Sequence, residues 1–299
     1  MLSRIKSASL FGIDAITITI EVDAAKGLPC ENIVGLPDTV IRESKSRIKS
    51  AIKNSGFEYP TNAYTINLAP ADMPKEGAFF DLPIAAGILE ATGQLPELNN
   101  MVVVGELSLN GDIKPIRGII SIAELVKKTN AKGLIIPVEN TKEAQLIPGI
   151  TILPLKNLKD LPHLLKHPPK PLPTPPPRTN TSKSLDNFNE VLGQEAAKRA
   201  LILAAAGNHN TLLIGPPGSG KTMLLRRLPS ILPHLTSNDA ISSYKIHNLV
   251  KHKFNKELLS PTPPFRSPHH TISYAGMIGG GKTPLPGEIS LAHLGILFL

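Results

Sequence analysis

Residues Gly215 to Thr222 could do chemistry on a chain of phosphates. They are GPPGSGKT, which matches the phosphate-loop pattern G-x-x-x-x-G-K-[ST]. Its glycines let the backbone curl so that several N–H groups point inward and form a nest for an anion. The Lys221 ammonium would lie on the β- and γ-phosphates, and the Thr222 hydroxyl would bind Mg²⁺. The spacing therefore predicts a site for a nucleoside triphosphate.

The residues flanking this loop supply the context that the pattern requires. Thr211–Ile214 is a short apolar segment that predicts a buried strand, and the leucines at 224, 225 and 228 have helical spacing. Before the strand, 195–206 is alanine-rich and predicts a helix that Gly207 ends. The alternative, a glycine-rich loop with a coincidental Lys-Thr pair, explains none of these flanks. The predicted nucleotide-binding residues are Gly215, Pro216, Pro217, Gly218, Ser219, Gly220, Lys221, Thr222 and Met223.

Composition limits the class of protein. The chain has 299 residues, enough for two domains, and its one cysteine, Cys30, excludes a disulfide framework. Asp14 interrupts the only early apolar run, and no apolar stretch reaches the length of a membrane span. We therefore expect a soluble, cytoplasmic protein with no membrane partner.

The charge is distributed unevenly along the chain. Residues 1–165 carry 17 Lys and Arg against 18 Asp and Glu, whereas residues 166–299 carry 15 against 6. All nine histidines lie at or after His163. A basic second half indicates a polyanionic partner, either the nucleotide phosphates alone or a nucleic acid in addition.

The N-terminal half predicts an α/β domain. Strands and helices alternate, and Asn110-Gly111 is the turn of a predicted hairpin. The predicted strands are 15–22, 64–68, 101–104 and 133–137, and the predicted helices lie within 35–56, at 82–89 and at 119–128.

A proline-rich run separates the two halves. Residues 168–177 contain seven prolines in ten positions, which favours an extended spacer over a ligand for a proline-binding module. The predicted organisation is a domain at 1–165, a linker at 166–184 and a domain at 185–299.

The combination of motifs resembles the magnesium-chelatase-like AAA+ ATPases of the ComM/YifB type. It consists of GQEAAKRALILAAAGNHNTLLIGPPGSGKTML, FRSPHHTIS, the GGG run at 279–281 and PGEISLAHLGILFL in the second half. In the first half it includes GLPDTVIRESKSRIKSAI, NLAPADMPKEGAFFDLPIA and GELSLNGDIKPIRG. The resemblance covers the chain apart from the proline-rich linker.

This resemblance implies a fold and a function. The fold is an N-terminal α/β domain like the proteolytic domain of Lon, followed by a P-loop AAA+ domain with a parallel sheet and helices. The expected cofactors are ATP and Mg²⁺, and the expected assembly is a homo-oligomeric ring. Members are bacterial cytosolic proteins, and the ComM branch is associated with DNA processing in natural transformation, so DNA is the expected partner.

The Lon likeness raises the hypothesis of a protease, and the residues argue against it. Lon-type peptidases place a serine just after a P-K-D-G run and a lysine after the later hairpin. Here 74–77 is PKEG, followed by Ala78-Phe79-Phe80-Asp81, and no lysine stands in 119–122. Without nucleophile and base there is no acyl-enzyme chemistry. We expect a structural or partner-binding domain.

Three further residues are candidate contacts to DNA or a partner: Arg266, His269 and His270. Arg266 could contact a phosphate or a neighbouring subunit. The two histidines are adjacent on a predicted extended segment, so they would point to opposite faces and could not bind one metal ion together without a bend, which makes a zinc site the less favoured alternative.

The family's catalytic acids are expected directly after an apolar strand, here predicted at 296–299, where the sequence ends. In the family that strand neighbours the phosphate-loop strand in one sheet. Three interpretations follow. The chain is part of an ATP-driven DNA motor, or a truncated ATP-binding protein that does not hydrolyse ATP. The third is a magnesium-chelatase subunit, which the Lon-like domain disfavours because the family's chelatase subunits are expected to lack it.

Overall fold

The computed structural model describes residues 2–25, 30–60, 63–73, 75, 77–169, 187–250, 261–281 and 285–299. It divides into two compact units, Met1–Pro175 and Pro176–Leu299. The predicted linker lies outside the described residues from residue 170 onward, as do residues 185–186 of the predicted second domain. Pro74 and Glu76 of the PKEG run also lie outside them.

The first unit is built on a seven-stranded sheet with the strand order β3-β4-β2-β1-β5-β8-β9. Only β2 runs against its neighbours; the other pairs are parallel. A separate hairpin, β6–β7, carries the predicted Asn110-Gly111 turn. The strands are β1 Leu2–Phe11, β2 Asp14–Ala25, β3 Glu31–Val34, β4 Ala63–Ala69, β5 Met101–Val103, β6 Glu106–Leu107, β7 Ile113–Lys114, β8 Gly133–Pro137 and β9 Ile152–Leu155.

The helices of the first unit bury apolar stripes in the core. In the first helix, Ile41, Ile48 and Ile52 are buried at helical spacing, and the Asp38 carboxylate caps its N-terminus by accepting from the N–H of Ile41 at 2.8 Å. The second helix is buried along its whole length. The helices are α1 Thr39–Asn54, α2 Asp81–Ala91, α3 Ile119–Lys128, α4 Thr141–Ala144 and α5 Leu161–Lys166.

The structure confirms the predicted α/β class and every element predicted in the first unit. It adds β1, β3 and β9, which the sequence analysis missed. In β1 the inward positions include Ser3, Ser7 and Ser9, all buried, so the apolar alternation that marks a half-buried strand is hidden. Ser3 is satisfied inside because its hydroxyl donates to the buried Glu90 carboxylate at 2.9 Å.

The second unit contains five helices and two short strand pairs in its described residues. One apolar cluster among its described residues consists of Phe188, Val191, Leu201, Leu224 and Leu228. The helices are α6 Glu195–Gly207, α7 Lys221–Arg227, α8 Ser237–Val250, α9 Tyr274–Ile278 and α10 Glu288–Leu291. The strands are β10 Phe265–Arg266, parallel to β13 Ile296–Leu297, and β11 Gly279–Gly280, antiparallel to β12 Leu285–Pro286.

The strand predicted at residues 211–214 in the second unit is wrong. Residues 211–214 have no regular secondary structure, and Leu212 and Ile214 are 82% and 89% exposed. A buried strand requires a neighbour for its N–H and C=O groups. No described strand pairs with these residues, and the apolar C-terminal strand, expected beside them, pairs with β10 instead.

Candidate phosphate-binding site

The phosphate-loop sequence forms a turn that leads directly into α7. Gly218 and Gly220 have φ angles of +79° and +84°, in the left-handed region where a side chain is strained, and Gly220 caps α7. The N–H of Ser219 bonds to the Pro216 carbonyl at 3.4 Å and closes the turn. Two of the three glycines of the loop, Gly218 and Gly220, therefore have a conformational reason.

Lys221 lies across this loop. Its ammonium donates to the carbonyls of Gly215 and Pro216 at 2.7 and 2.8 Å, and to the Ser219 hydroxyl at 3.3 Å. All three acceptors are neutral loop groups. The ammonium charge is therefore held against the loop by neutral oxygens.

The start of α7 presents its polar side chains outward and its leucines inward. Thr222 is exposed, and Met223 is 42% exposed. Leu224 and Leu228 are buried, as the predicted helical stripe requires, while Leu225 is partly buried against the same cluster. This packing fixes the helix on which Lys221 and Thr222 stand.

The sequence analysis missed one contributor to the site, Gln194. It lies just before α6, and its side-chain amide donates to the Ser219 carbonyl at 3.2 Å. No motif marks it, because a single glutamine before a helix is common. The left-handed backbone that accompanies it becomes visible only in the structure.

Arg266 is engaged within the chain. Its guanidinium donates to both carboxylate oxygens of Glu288, Nε to Oε2 at 2.6 Å and Nη2 to Oε1 at 2.5 Å. This bidentate bond is the largest cause that raises the pKa of Arg266 and lowers the pKa of Glu288. Arg266 thus connects β10 to α10.

His269 and His270 are exposed in a turn, and their ring centroids are 4.1 Å apart. The expectation that they point to opposite faces is wrong, because the chain turns here instead of extending. Nδ1 of His269 accepts from the N–H of Thr271 at 3.3 Å and lies 2.7 Å from its hydroxyl oxygen. Among the described residues, no group of three or more His, Cys, Asp or Glu side chains could hold a metal ion.

Comparison with known proteins identifies the family. A family model described as subunit ChlI of Mg-chelatase matches residues 20–140, and a model of magnesium chelatase, subunit ChlI, matches residues 187–299. The uncharacterized protein YifB of Escherichia coli is 45% identical over the whole chain, and competence protein ComM of Haemophilus influenzae is 41% identical over the whole chain. The chain belongs to the ComM/YifB-type magnesium-chelatase-like family.

The chain spans about three fifths of the length of these relatives, 59% of YifB and 60% of ComM. The N-terminal domain was taken above as a reason against a chelatase subunit, but a model described as subunit ChlI of Mg-chelatase matches residues 20–140 of it. A domain that matches a model described as a chelatase subunit does not by itself disfavour the chelatase alternative.

A third relative of this ComM/YifB-type chain is a Lon protease. Lon protease 2 of Bacillus subtilis is 34% identical over 167 residues, which are 51% of the chain and 30% of that protein. In the first unit, the residues directly after Gly77 are apolar. The ring centroids of Phe79 and Phe80 are 4.6 Å apart, and Phe80 is fully buried. In α3 the Ser121 hydroxyl donates to the Ile13 carbonyl at 2.6 Å.

Lys75 is also in this region of the N-terminal unit. It is fully buried and donates to the Pro70 carbonyl. Desolvation is the main cause that lowers its pKa. Its own backbone N–H and carbonyl bond to Leu36 and Asp38, so Lys75 connects two loops.

None of the described helices is long and apolar enough to cross a bilayer.

Proposed function

We propose that this chain binds ATP together with Mg²⁺ through residues 215–223. The observation that carries the proposal is the loop Gly215–Thr222, in which left-handed glycines lead into α7 and the Lys221 ammonium is held over the loop by neutral carbonyls. A cation whose partners among the described residues are neutral oxygens can gain a stronger, charge-assisted bond when a phosphate enters. The family match supports the same cofactors.

The residues present fit an Mg²⁺-triphosphate. Lys221 would bind phosphate oxygens, and the exposed Thr222 hydroxyl is of the type that binds Mg²⁺ in this motif. Pro216 and Pro217 restrict the loop backbone, which lowers the conformational entropy lost when the loop orders around an anion. Mg²⁺ would neutralise part of the phosphate charge when bound.

The test is a titration of the full chain with a fluorescent ATP analogue in the presence and absence of Mg²⁺. Lys221→Ala should weaken binding at least tenfold, because it removes a charge-assisted bond to phosphate. Thr222→Ala should remove most of the Mg²⁺ dependence. Lys198→Ala is the matched control, since it removes a lysine that pairs with Glu195 on α6. Equal affinity of the Lys221 and Lys198 variants would refute the proposal.

We further propose that the chain is the phosphate-loop-bearing part of an ATP-driven, ring-forming motor that handles DNA. The support is the net basic charge of residues 166–299 and the 41% identity to competence protein ComM. His269 and His270 supply exposed flat rings for contact with bases or phosphates. Arg266 would act indirectly by holding β10 on α10.

DNA binding is measured by fluorescence anisotropy with single-stranded and branched DNA at two salt concentrations. The proposal expects binding that weakens steeply with salt and a loss of affinity in His269→Ala/His270→Ala. A salt-independent signal, or no signal with ATP and Mg²⁺ present, would exclude this role.

The chelatase alternative remains because both matching models are described as the ChlI subunit. It expects the chain to support ATP-dependent insertion of Mg²⁺ into a porphyrin when combined with the other chelatase components. Formation of Mg-porphyrin, followed by absorbance, would favour it over the DNA motor.

A further inference from the structure

Gln194 occupies a backbone conformation that suits glutamine poorly. Its φ angle is +58°, and that of Gly193 immediately before it is +70°. A side chain in the left-handed region brings its Cβ close to the following carbonyl oxygen, so residues other than Gly, Asn and Asp are uncommon there. Such strain persists where the surrounding structure over-determines it and is concentrated at functional sites.

The Gln194 side chain does not serve its own helix. It makes no capping bond to α6, although Gln194 is the N-cap residue. Its amide reaches instead across 25 residues of sequence to the Ser219 carbonyl in the phosphate loop, at 3.2 Å. The strained position therefore coincides with a bond to the loop.

The segment 187–194, here called the strap, is anchored at its other end as well. The N–H of Phe188 donates to the Ser230 hydroxyl at 3.1 Å, just beyond the end of α7. Phe188 and Val191 are buried in the cluster that holds Leu224 and Leu228. The strap thus contacts both the loop before α7 and the turn after it. These contacts fix the position of the backbone from which the Gln194 side chain reaches the loop.

The bond to Ser219 has a geometric consequence for the loop. In a trans peptide the carbonyl and the N–H of the next residue point in opposite directions. Holding the Ser219 carbonyl toward Gln194 therefore turns the N–H of Gly220 away from Gln194. At the same residue, the Ser219 hydroxyl accepts from Lys221 at 3.3 Å, so the strap and the loop lysine both restrain Ser219.

We propose that Gln194 is a positioning residue for the phosphate site: it orients the peptide between Ser219 and Gly220 so that the Gly220 N–H is available to a phosphate oxygen. This inference rests on the proposed binding of ATP. At this left-handed position, the glutamine side chain has the length and the donor that reach the loop.

Two variants of the full chain separate the side-chain bond from the backbone conformation. Gln194→Met keeps the length and shape of the side chain but has no donor. Gln194→Gly relieves the left-handed strain and removes the side chain. Affinities for Mg²⁺-ATP and for tripolyphosphate, a probe that has only the phosphates, are measured beside the melting temperature of the unliganded chain.

Both variants are expected to lose about three- to tenfold in affinity for ATP, as one net hydrogen bond predicts. The loss for tripolyphosphate should be similar. Gln194→Met removes an exposed bond that the unliganded chain already has, so its melting temperature should fall only slightly, and that of Gln194→Gly should not fall because the strain is relieved. Wild-type affinity in either variant overturns the inference, as does a loss of affinity confined to a variant whose melting temperature falls strongly. If the wild-type chain itself does not bind ATP, the proposed function fails and this inference with it. If the wild-type chain binds ATP but the two variants do not lose affinity, this inference fails and the proposed binding of ATP stands.

Discussion

The guanidinium of Arg47 and the carboxylate of Asp81 form a bidentate ion pair that joins the middle of α1 to the first turn of α2. Nε lies 2.5 Å from Oδ2, and Nη2 lies 3.0 Å from Oδ1. The Asp81 side chain is 1% exposed and also accepts from the N–H of Leu107 at 3.3 Å. Burial is the main cause that raises the pKa of Asp81 to about 6, and the bonds from Arg47 counteract it.

The first prediction concerns the loss of the Arg47 guanidinium from this ion pair. Arg47→Leu removes the guanidinium that counteracts the burial of the Asp81 carboxylate, so the folded chain must either bury an unpaired charge or take up a proton there. We expect the free energy of unfolding of the N-terminal unit to fall by roughly 3 kcal/mol. Arg42→Leu on the exposed face of α1 is the matched control and should change stability by less than about 0.5 kcal/mol. Urea unfolding followed by circular dichroism measures both, and equal effects would contradict the buried-pair interpretation.

The second prediction is the pH dependence that Asp81 contributes. Its pKa in the folded chain, about 6, is above the ordinary value of 3.8, so its stabilising contribution is present below pH 4 and is lost as the pH rises through 6. Relative to Asp81→Asn, the wild-type free energy of unfolding should therefore fall by up to about 3 kcal/mol between pH 4 and pH 7.5. The control is Asp23→Asn at an exposed position. A difference that is flat or rises with pH would show that the carboxylate is not penalised by burial.

The sequence predicts the elements that a local pattern specifies, and it does not predict those that depend on a distant partner. Helices α1 and α3 follow from the spacing of Ile41, Ile48 and Ile52 and of the apolar residues in 119–126, because burial on one helix face is a local pattern. Strand β1 escaped because Ser3 is buried through a partner 87 residues away, Glu90, which no local pattern shows.

The residues of the candidate site also fall into those that a local pattern predicts and those that depend on a distant partner. The phosphate-loop residues are predictable because the motif is contiguous, and Gly218 and Gly220 adopt left-handed conformations within it. Gln194, Glu288 and the environment of Leu212 depend on contacts between distant segments. A short apolar run predicts a strand only when a neighbour exists to pair with it, and the sequence alone does not supply that neighbour.

The third prediction tests the role of Arg266. Its fork fits both oxygens of Glu288, and the Glu288 side chain is only 18% exposed, so Arg266→Lys should not replace it. We expect Arg266→Lys and Arg266→Leu to raise the rate of amide hydrogen exchange in peptides from 265–268 and 286–297. A double-mutant cycle with Glu288→Gln should give a coupling free energy of about 1–2 kcal/mol. A coupling near zero would mean that Arg266 is available for a phosphate after all.

The last prediction concerns the residues before the phosphate loop. Since Leu212 and Ile214 are 82% and 89% exposed and 211–214 has no strand pairing, the amides of this segment should exchange with solvent in seconds, while those of α6 are protected. Replacing both side chains by Ser should change the exchange of α6 and α7 little. Leu224→Ala, which opens a cavity in the cluster of Phe188, Leu201 and Leu228, is expected to cost about 2–5 kcal/mol and to speed exchange in both helices. Slow exchange at 211–214, or a Leu212→Ser/Ile214→Ser variant as damaging as Leu224→Ala, would show instead that this segment is a buried strand, as the apolar sequence alone predicts.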